Sequence, residues 1–239
     1  MKCCKIIDIQ NVSPLVKLVK LFINNDYNQK FQYRPGQWVD FVVPDKKKAA
    51  GYSIVSCNDN EVELAVKRSD CIVSSWLHNS SKVGDNVSIK IGGSFTFDDS
   101  YLNGTNIFIA GGIGINPIIC ILDYANRKLI TKPSDSSKYF LFYSSKNVEE
   151  LIFLDRLERI LKTNGKNFQF KYFITEEISA NSSFIHRRIS HEDIKDVIRK
   201  IDTNNCNAFI CGPNQMIDYF YDFLVKYLVV DKVIIEKWW

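Results

Sequence analysis

The chain has 239 residues, 46% of them apolar and 13% aromatic, and a formal net charge of +4. That length suits one large domain or two small ones. The mild charge comes from scattered lysines and arginines, which argues against a nucleic-acid binder, and no apolar run approaches the ~20 residues of a membrane span.

Seven cysteines (Cys3, Cys4, Cys57, Cys71, Cys120, Cys206 and Cys211) include no C-x-x-C pair and no set with zinc or iron–sulfur spacing. No metal site is expected. An odd number of thiols in mostly apolar surroundings reads as reduced and buried. The first ten residues carry no signal-peptide pattern and enter a strand early, so the expectation is a cytoplasmic protein, with a mitochondrial form as the alternative.

The first part of the chain reads as strands joined by turns, over Lys5–Asn11, Leu15–Phe22, Trp38–Val43, Tyr52–Ser56, Glu61–Lys67 and Asn86–Gly92. Val62-Glu63-Leu64-Ala65-Val66 alternates with a period of two, and Pro35-Gly36 and Asn58-Asp59 signal turns. Lys46-Lys47-Lys48 reads as a solvated loop, and a short helix fits Cys71–Asn79. Six strands with short links predict a small antiparallel barrel over residues 1–103.

Past Asn103-Gly104 the pattern changes. Strands at Ile107–Ala110, Tyr139–Tyr143, Phe168–Thr175 and Ala208–Cys211 alternate with helices at Asn116–Arg127, Glu149–Thr163, His191–Lys200 and Gln215–Tyr227. Leu151, Phe153, Leu154, Leu157, Ile160 and Leu161 recur at helical spacing, and Ser190 before His191-Glu192-Asp193 reads as an N-cap. This alternation predicts an α/β domain over residues 104–239, with a parallel sheet and ligands at the carboxyl ends of its strands.

One such end carries Ala110-Gly111-Gly112-Ile113-Gly114-Ile115-Asn116-Pro117. A strand, a glycine turn and a helix start make a place for a diphosphate, because glycine lets the backbone approach and helix N-terminal N–H groups attract anions. Pro117 suits a first helical turn. The spacing is neither G-x-G-x-x-G nor a P-loop.

Five short segments in order resemble the ferredoxin–NADP(+) reductase superfamily, and within it the oxidoreductase NAD-binding domain-containing group. They are Arg34-Pro35-Gly36-Gln37, Gly51-Tyr52-Ser53, the Ala110–Pro117 turn, Cys211-Gly212-Pro213 followed by Met216, and the tail Ile234-Ile235-Glu236-Lys237-Trp238-Trp239. The resemblance implies a flavin-binding barrel followed by an NAD(P)-binding domain, with FAD and NAD or NADP as cofactors and NAD favoured. It gives Tyr52 a stacking role on the flavin, Ser53 a hydrogen bond to flavin N5, and Ser74 a place at the flavin phosphates, where helix capping is the other reading. Gly111, Gly112, Ile113, Gly114, Asn116 and Pro117 would hold the dinucleotide, and Cys211, Gly212 and Pro213 would place the nicotinamide. Trp238 and Trp239 would shield the flavin face or plug the last strand. Glu236 is a proton donor or a hinge contact.

Two positions depart from the family pattern. Ala50 stands where an arginine would neutralise flavin phosphates, with Lys48, Lys67 and Arg68 as substitutes nearby, and Cys71 stands in place of a glycine. His78 has no partner visible in the sequence. At the ribose end, Ser144-Ser145-Lys146-Asn147, Glu149-Glu150 and His186-Arg187-Arg188 offer both cations and carboxylates. The expected function is hydride transfer from NAD(P)H to FAD and electron delivery to an unknown acceptor, with a protein among the candidates. The alternatives are a non-catalytic nucleotide-sensing or partner-docking module and an electron-transfer subunit of a larger complex.

Overall fold

The computed structural model describes residues 1–24, 31–43, 48–178, 181–200, 205–227 and 232–238. It divides into two compact units, Met1–Thr96 and Phe97–Trp239.

The first unit is a closed barrel of six strands. In chain order these are β1 (Lys2–Ser13), β2 (Val16–Ile23), β3 (Trp38–Val43), β4 (Lys48–Asn58), β5 (Glu61–Lys67) and β6 (Asn86–Gly92), with α1 (Ile72–Asn79) between β5 and β6. Around the barrel they run β1-β2-β5-β4-β3-β6, every pairing antiparallel. Period-two alternation puts Val39, Phe41 and Val43 of β3 and Val62, Leu64 and Val66 of β5 into the interior, each fully or almost fully buried. Closure removes the unpaired edges that an open sheet would expose.

Two features here exceed the sequence reading. β4 extends well beyond Tyr52–Ser56 and carries an irregularity between Ile54 and Ser56. His78 is buried, and its Nε2 lies 3.0 Å from the Val66 carbonyl oxygen. It is a structural histidine that ties α1 to β5, and burial holds its basicity below the ordinary histidine range.

The second unit holds β7 (Thr105–Gly111), α2 (Ile115–Thr131), β8 (Lys138–Ser145), α3 (Leu154–Asn164), β9 (Phe168–Ile174), β10 (Phe184–Ile185), α4 (His191–Ile198), β11 (Cys206–Gly212), α5 (Asn214–Tyr227) and β12 (Lys232–Lys237). Its six-stranded sheet runs β10-β9-β8-β7-β11-β12, every neighbour parallel. All seven residues of β7 are buried, as expected of a central parallel strand. Strand order reverses between β7 and β11, the position where open α/β sheets take ligands.

This unit begins at Phe97, ahead of the Asn103/Gly104 junction read from the sequence. The Phe97 ring lies 5.6 Å from Phe209 and 6.5 Å from Phe108, in an aromatic cluster on the parallel sheet. α3 starts at Leu154 instead of Glu149, because Phe153 takes a left-handed φ of 69° and Leu151 and Ile152 turn into the core. The stretch Ile234–Lys237, read as a tail, belongs to edge strand β12, paired with β11. α4 starts as expected: Ser190 and Asp193 form a capping box, with Asp193 Oδ2 accepting from the Ser190 backbone at 2.8 Å.

None of the seven cysteines is in a disulfide, but only Cys4, Cys120, Cys206 and Cys211 are buried; Cys3 and Cys71 are exposed and Cys57 is half-buried. No helix among the described residues is long and apolar enough to cross a membrane.

Candidate functional site

The carboxyl ends of β7 and β11 meet at a turn made almost entirely of backbone. Gly112–Gly114 form a single 3-10 turn that passes directly into α2. A Cβ on Gly114 would run into the Cys211 carbonyl, and one on Gly111 would lie 2.7 Å from Pro213 Cδ and 2.9 Å from Met216 Sδ. These two glycines let the two strand ends close on each other. Gly112 is different. It sits at φ 52°, and a Cβ there would meet nothing within 4 Å. Ile113 is half-buried beside it, and Asn116 and Pro117 are buried in the first turn of α2.

α2 has no side-chain cap at its N-terminus and no acidic residue in its first turn. The first N–H groups of a helix have no intrahelical acceptor, and the helix dipole places positive charge there. An open left-handed glycine beside an uncapped helix end therefore fits a diphosphate.

Beside this turn, β11 brings Cys211 opposite Ala110 of β7 and Glu236 of β12. Cys211 is fully buried. Burial pushes its thiol up to about 12, the facing Glu236 charge adds to this, and a hydrogen bond from the Trp238 side chain works the other way. At neutral pH the group is a buried thiol and not a thiolate nucleophile. Burial alone raises the Glu236 carboxyl to about 7. Lys237 is held by Asp218 of α5. Gly212 is half-buried and Pro213 is exposed. Cys211, Glu236 and Trp238 thus share one sheet edge, whereas Trp239 lies outside the described residues.

The barrel unit has its own candidate surface. Tyr52 is half-buried, yet its hydroxyl is fully buried with no hydrogen-bond partner among the described residues. Burial and the neighbouring Cys71 both hold its phenol well above the usual tyrosine range. Its ring meets Phe41 edge-on at 6.1 Å, and Phe41 lies 6.4 Å from Trp76 of α1. An aromatic patch with an orphaned phenol, beside a helix N-terminus that lacks both a side-chain cap and a first-turn acid, fits a planar ring carrying phosphate. Ser53, paired with Trp38, is buried on the opposite face of β4 from Tyr52.

Ser74 does not reach outward. Its hydroxyl donates to the Lys67 carbonyl and accepts from the Ser69 N–H, both at 3.0 Å, and the side chain is buried. It braces the loop into α1, which is closer to the capping reading than to direct phosphate binding. Lys48, Ala50 and Tyr52 lie on one face of β4 by strand alternation, whereas Lys46 and Lys47 lie outside the described residues.

At the outer part of the parallel sheet, Arg187 grips Asp193 with bonds of 2.6 and 2.7 Å and lies over the Phe173 ring at 5.4 Å. Its guanidinium belongs to the α4 cap, which removes it from the set of phosphate ligands considered from the sequence. The functional features that sequence reading missed are pairings: Glu236 against Cys211, and Cys71 against Tyr52. Neither spacing repeats as a motif.

Comparison with known proteins gives the family and the fold. Residues 108–222 match the oxidoreductase NAD-binding domain. Over 98% of its length the chain is similar to oxidoreductase NAD-binding domain-containing protein 1 of Danio rerio, at 31% identity and with 91% of that protein covered. Among solved structures, the flavohem-like FAD/NAD binding domain of nitric oxide dioxygenase from Vibrio cholerae superposes with a TM-score of 0.82 at 19% identity, covering 98% of this chain and 97% of that one. Ferredoxin-NADP+ reductase from Plasmodium falciparum gives a TM-score of 0.76 at 22% identity, covering 99% and 95%. The fold is that of the ferredoxin–NADP(+) reductase superfamily, a barrel followed by a nucleotide-binding α/β domain. Within it, the chain belongs to the family of oxidoreductase NAD-binding domain-containing protein 1.

Proposed function

We propose that the protein is an NAD(P)H-dependent flavin oxidoreductase that takes a hydride from nicotinamide and passes electrons to an acceptor. The observation that carries this reading is the Gly111–Gly114 turn, open only at Gly112 and set against Cys211 at the switch between β7 and β11. FAD, when bound, supplies the hydride-accepting N5 and the redox chemistry, and the protein supplies binding, orientation and electrostatics.

In the nucleotide unit, the Gly112–Gly114 turn and the first turn of α2 hold the diphosphate, with Asn116 and Pro117 shaping that turn. Cys211 presents a compact, uncharged sulfur against the nicotinamide, with Gly212 and Pro213 forming the adjoining wall. Glu236, poised near neutrality, holds or releases a proton beside that sulfur. Trp238 steadies the thiol and offers a planar surface at the same edge. In the barrel unit, Tyr52 supplies a ring face and a hydroxyl, and Ser53 a hydroxyl for flavin N5. Ser74 fixes the loop that presents the α1 N-terminus to phosphate. Lys48, on the face of β4 that carries Ala50, supplies the cation that Ala50 lacks.

A second reading, a nucleotide-binding module that holds no flavin, draws on Ala50 and on the exposed thiol of Cys71 at the α1 N-cap. Reconstitution with FAD, followed by anaerobic titration with NADH and NADPH, separates the two. The oxidoreductase gives a yellow protein whose flavin absorbance bleaches on titration. Protein that stays colourless with added FAD but binds NADH in a calorimeter is the module.

A further inference from the structure

The dinucleotide site proposed above has two ends, and the sheet separates them. Cys211 and Glu236 occupy the β11–β12 side of the glycine turn, so the nicotinamide end extends that way and the adenosine end extends over β8 and β9. The ribose 2′-position is where NAD and NADP differ. A 2′-hydroxyl can donate to a carboxylate, whereas a 2′-phosphate needs cations.

The loops after β8 and β9 are knitted into one acidic edge. Lys146 pairs with Glu176 at 3.1 Å, and the Glu176 N–H donates to the Lys146 carbonyl at 2.9 Å. Glu177 Oε2 accepts from the Val148 N–H at 2.9 Å, which occupies a backbone donor that an anion would otherwise use. The Asn147 Oδ1 accepts from the Glu150 N–H at 3.0 Å, and the Ser145 hydroxyl donates to the Asn147 carbonyl at 2.6 Å. Across residues 145–150 and 175–178, Lys146 is the sole cation among four carboxylates, those of Glu149, Glu150, Glu176 and Glu177. Arg187 is committed to Asp193, and His186, which follows β10, sits beside this edge with its Nδ1 3.0 Å from the Glu177 carbonyl oxygen, so that ring nitrogen is engaged by the edge's own backbone.

We propose that this edge, with Glu176 neutralising Lys146 and Glu177 closing the loop, makes the site select NAD(H) over NADP(H). A 2′-phosphate brings close to two further negative charges into a field that is already negative. The ribose 2′-hydroxyl, in contrast, finds carboxylate acceptors. The inference rests on the dinucleotide reading of the Gly112 turn.

Calorimetric titration of the full chain with NAD+ and with NADP+ tests it. NAD+ is expected to bind at least about tenfold more tightly. Glu176→Lys should tighten NADP+ by about tenfold while NAD+ stays within about threefold, and Glu176→Gln should fall between the two. Thermal melts of both variants identify any that fails to fold; Glu176→Gln, which only removes a charge, keeps the comparison available. Equal affinity for the two nucleotides in the native protein, or a variant that shifts both alike, overturns the selection while leaving the dinucleotide site standing. If the native protein binds neither nucleotide, the inference and the dinucleotide reading fall together.

Discussion

The two candidate phosphate sites are both helix N-termini, but they are built in opposite ways. At α2 the approach is backbone alone: Gly111 and Gly114 close against Pro213 and Cys211, and Gly112 faces open space. At α1 it is side-chain scaffolding: Ser74 ties Lys67 to Ser69, and Cys71 occupies the cap position with an exposed thiol. Neither helix has a side-chain cap or a first-turn acid. The glycine site tolerates no Cβ at its crowded positions, and its chemistry is that of N–H groups. The α1 site takes its character from residue types, and Cys71 at its cap is one of the two positions where the chain departs from the family pattern.

The largest expected effect breaks the first of these sites. Gly114→Val drives a branched Cβ into the Cys211 carbonyl and should separate β7 from β11 at their carboxyl ends. A loss of about 3 kcal/mol follows, or about 6–12 °C in Tm, measured by calorimetry. An unchanged Tm would mean that the two strand ends do not close as described.

Gly112→Asp comes next and leaves the packing alone, because the position is open and aspartate accepts a left-handed φ better than most residues. A carboxylate facing the diphosphate should weaken NAD+ binding by about tenfold or more, equivalent to about 1.4 kcal/mol. Gly112→Asn, of the same shape without the charge, should stay near native. FAD content should not change in either variant. Loss of flavin with NAD+ binding intact would show that the two units had been assigned backwards.

Glu236 sharpens the comparison through pH. Burial raises its pKa from the ordinary 4.5 to about 7 in the folded protein, which therefore holds the proton more tightly. The stability this lends is complete below about 4.5 and is lost as pH rises through 7. Glu236→Gln never carries the charge, so at pH values above 7 it should be more stable than the native protein. Discounted for the carboxyl's partial exposure, the gain is about 1 kcal/mol. At pH values below 4.5 the difference should close. Parallel chemical denaturation curves across that range check it; a gap independent of pH would mean that the carboxyl is not desolvated in the fold.

Much of this was legible in the sequence, for a definable reason. Strands β3, β5 and β6 fall where alternation puts them, and the glycine turn is announced by residues whose value lies in the backbone they permit. Pairings that depend on register were not legible. Nothing local says that Glu236 faces Cys211, since β12 is a short edge strand that reads as a tail. Nor does the sequence distinguish crowded Gly114 from open Gly112, because the crowding comes from a strand near the other end of the chain. Ser74 was read from its type, but its hydroxyl is consumed by its own loop, a frequent fate of serine in a first helical turn.

The smallest effect probes the barrel alone. Tyr52→Phe removes one oxygen, and that oxygen is a buried group with no partner among the described residues. Leaving such a group unpaired costs about 1–3 kcal/mol, so its removal should leave the flavin-free protein as stable as before or more stable by about 1 kcal/mol. The Phe41 and Trp76 ring contacts do not use the hydroxyl and should persist. FAD affinity, followed by quenching of flavin fluorescence, should fall by about threefold to tenfold if the phenol awaits the flavin, because a hydrogen bond made only in the complex is lost. The two readouts thus move in opposite directions. A purely structural tyrosine would lose stability and leave flavin binding unmoved, and that result would remove the barrel's strongest claim to a ligand without touching the glycine turn.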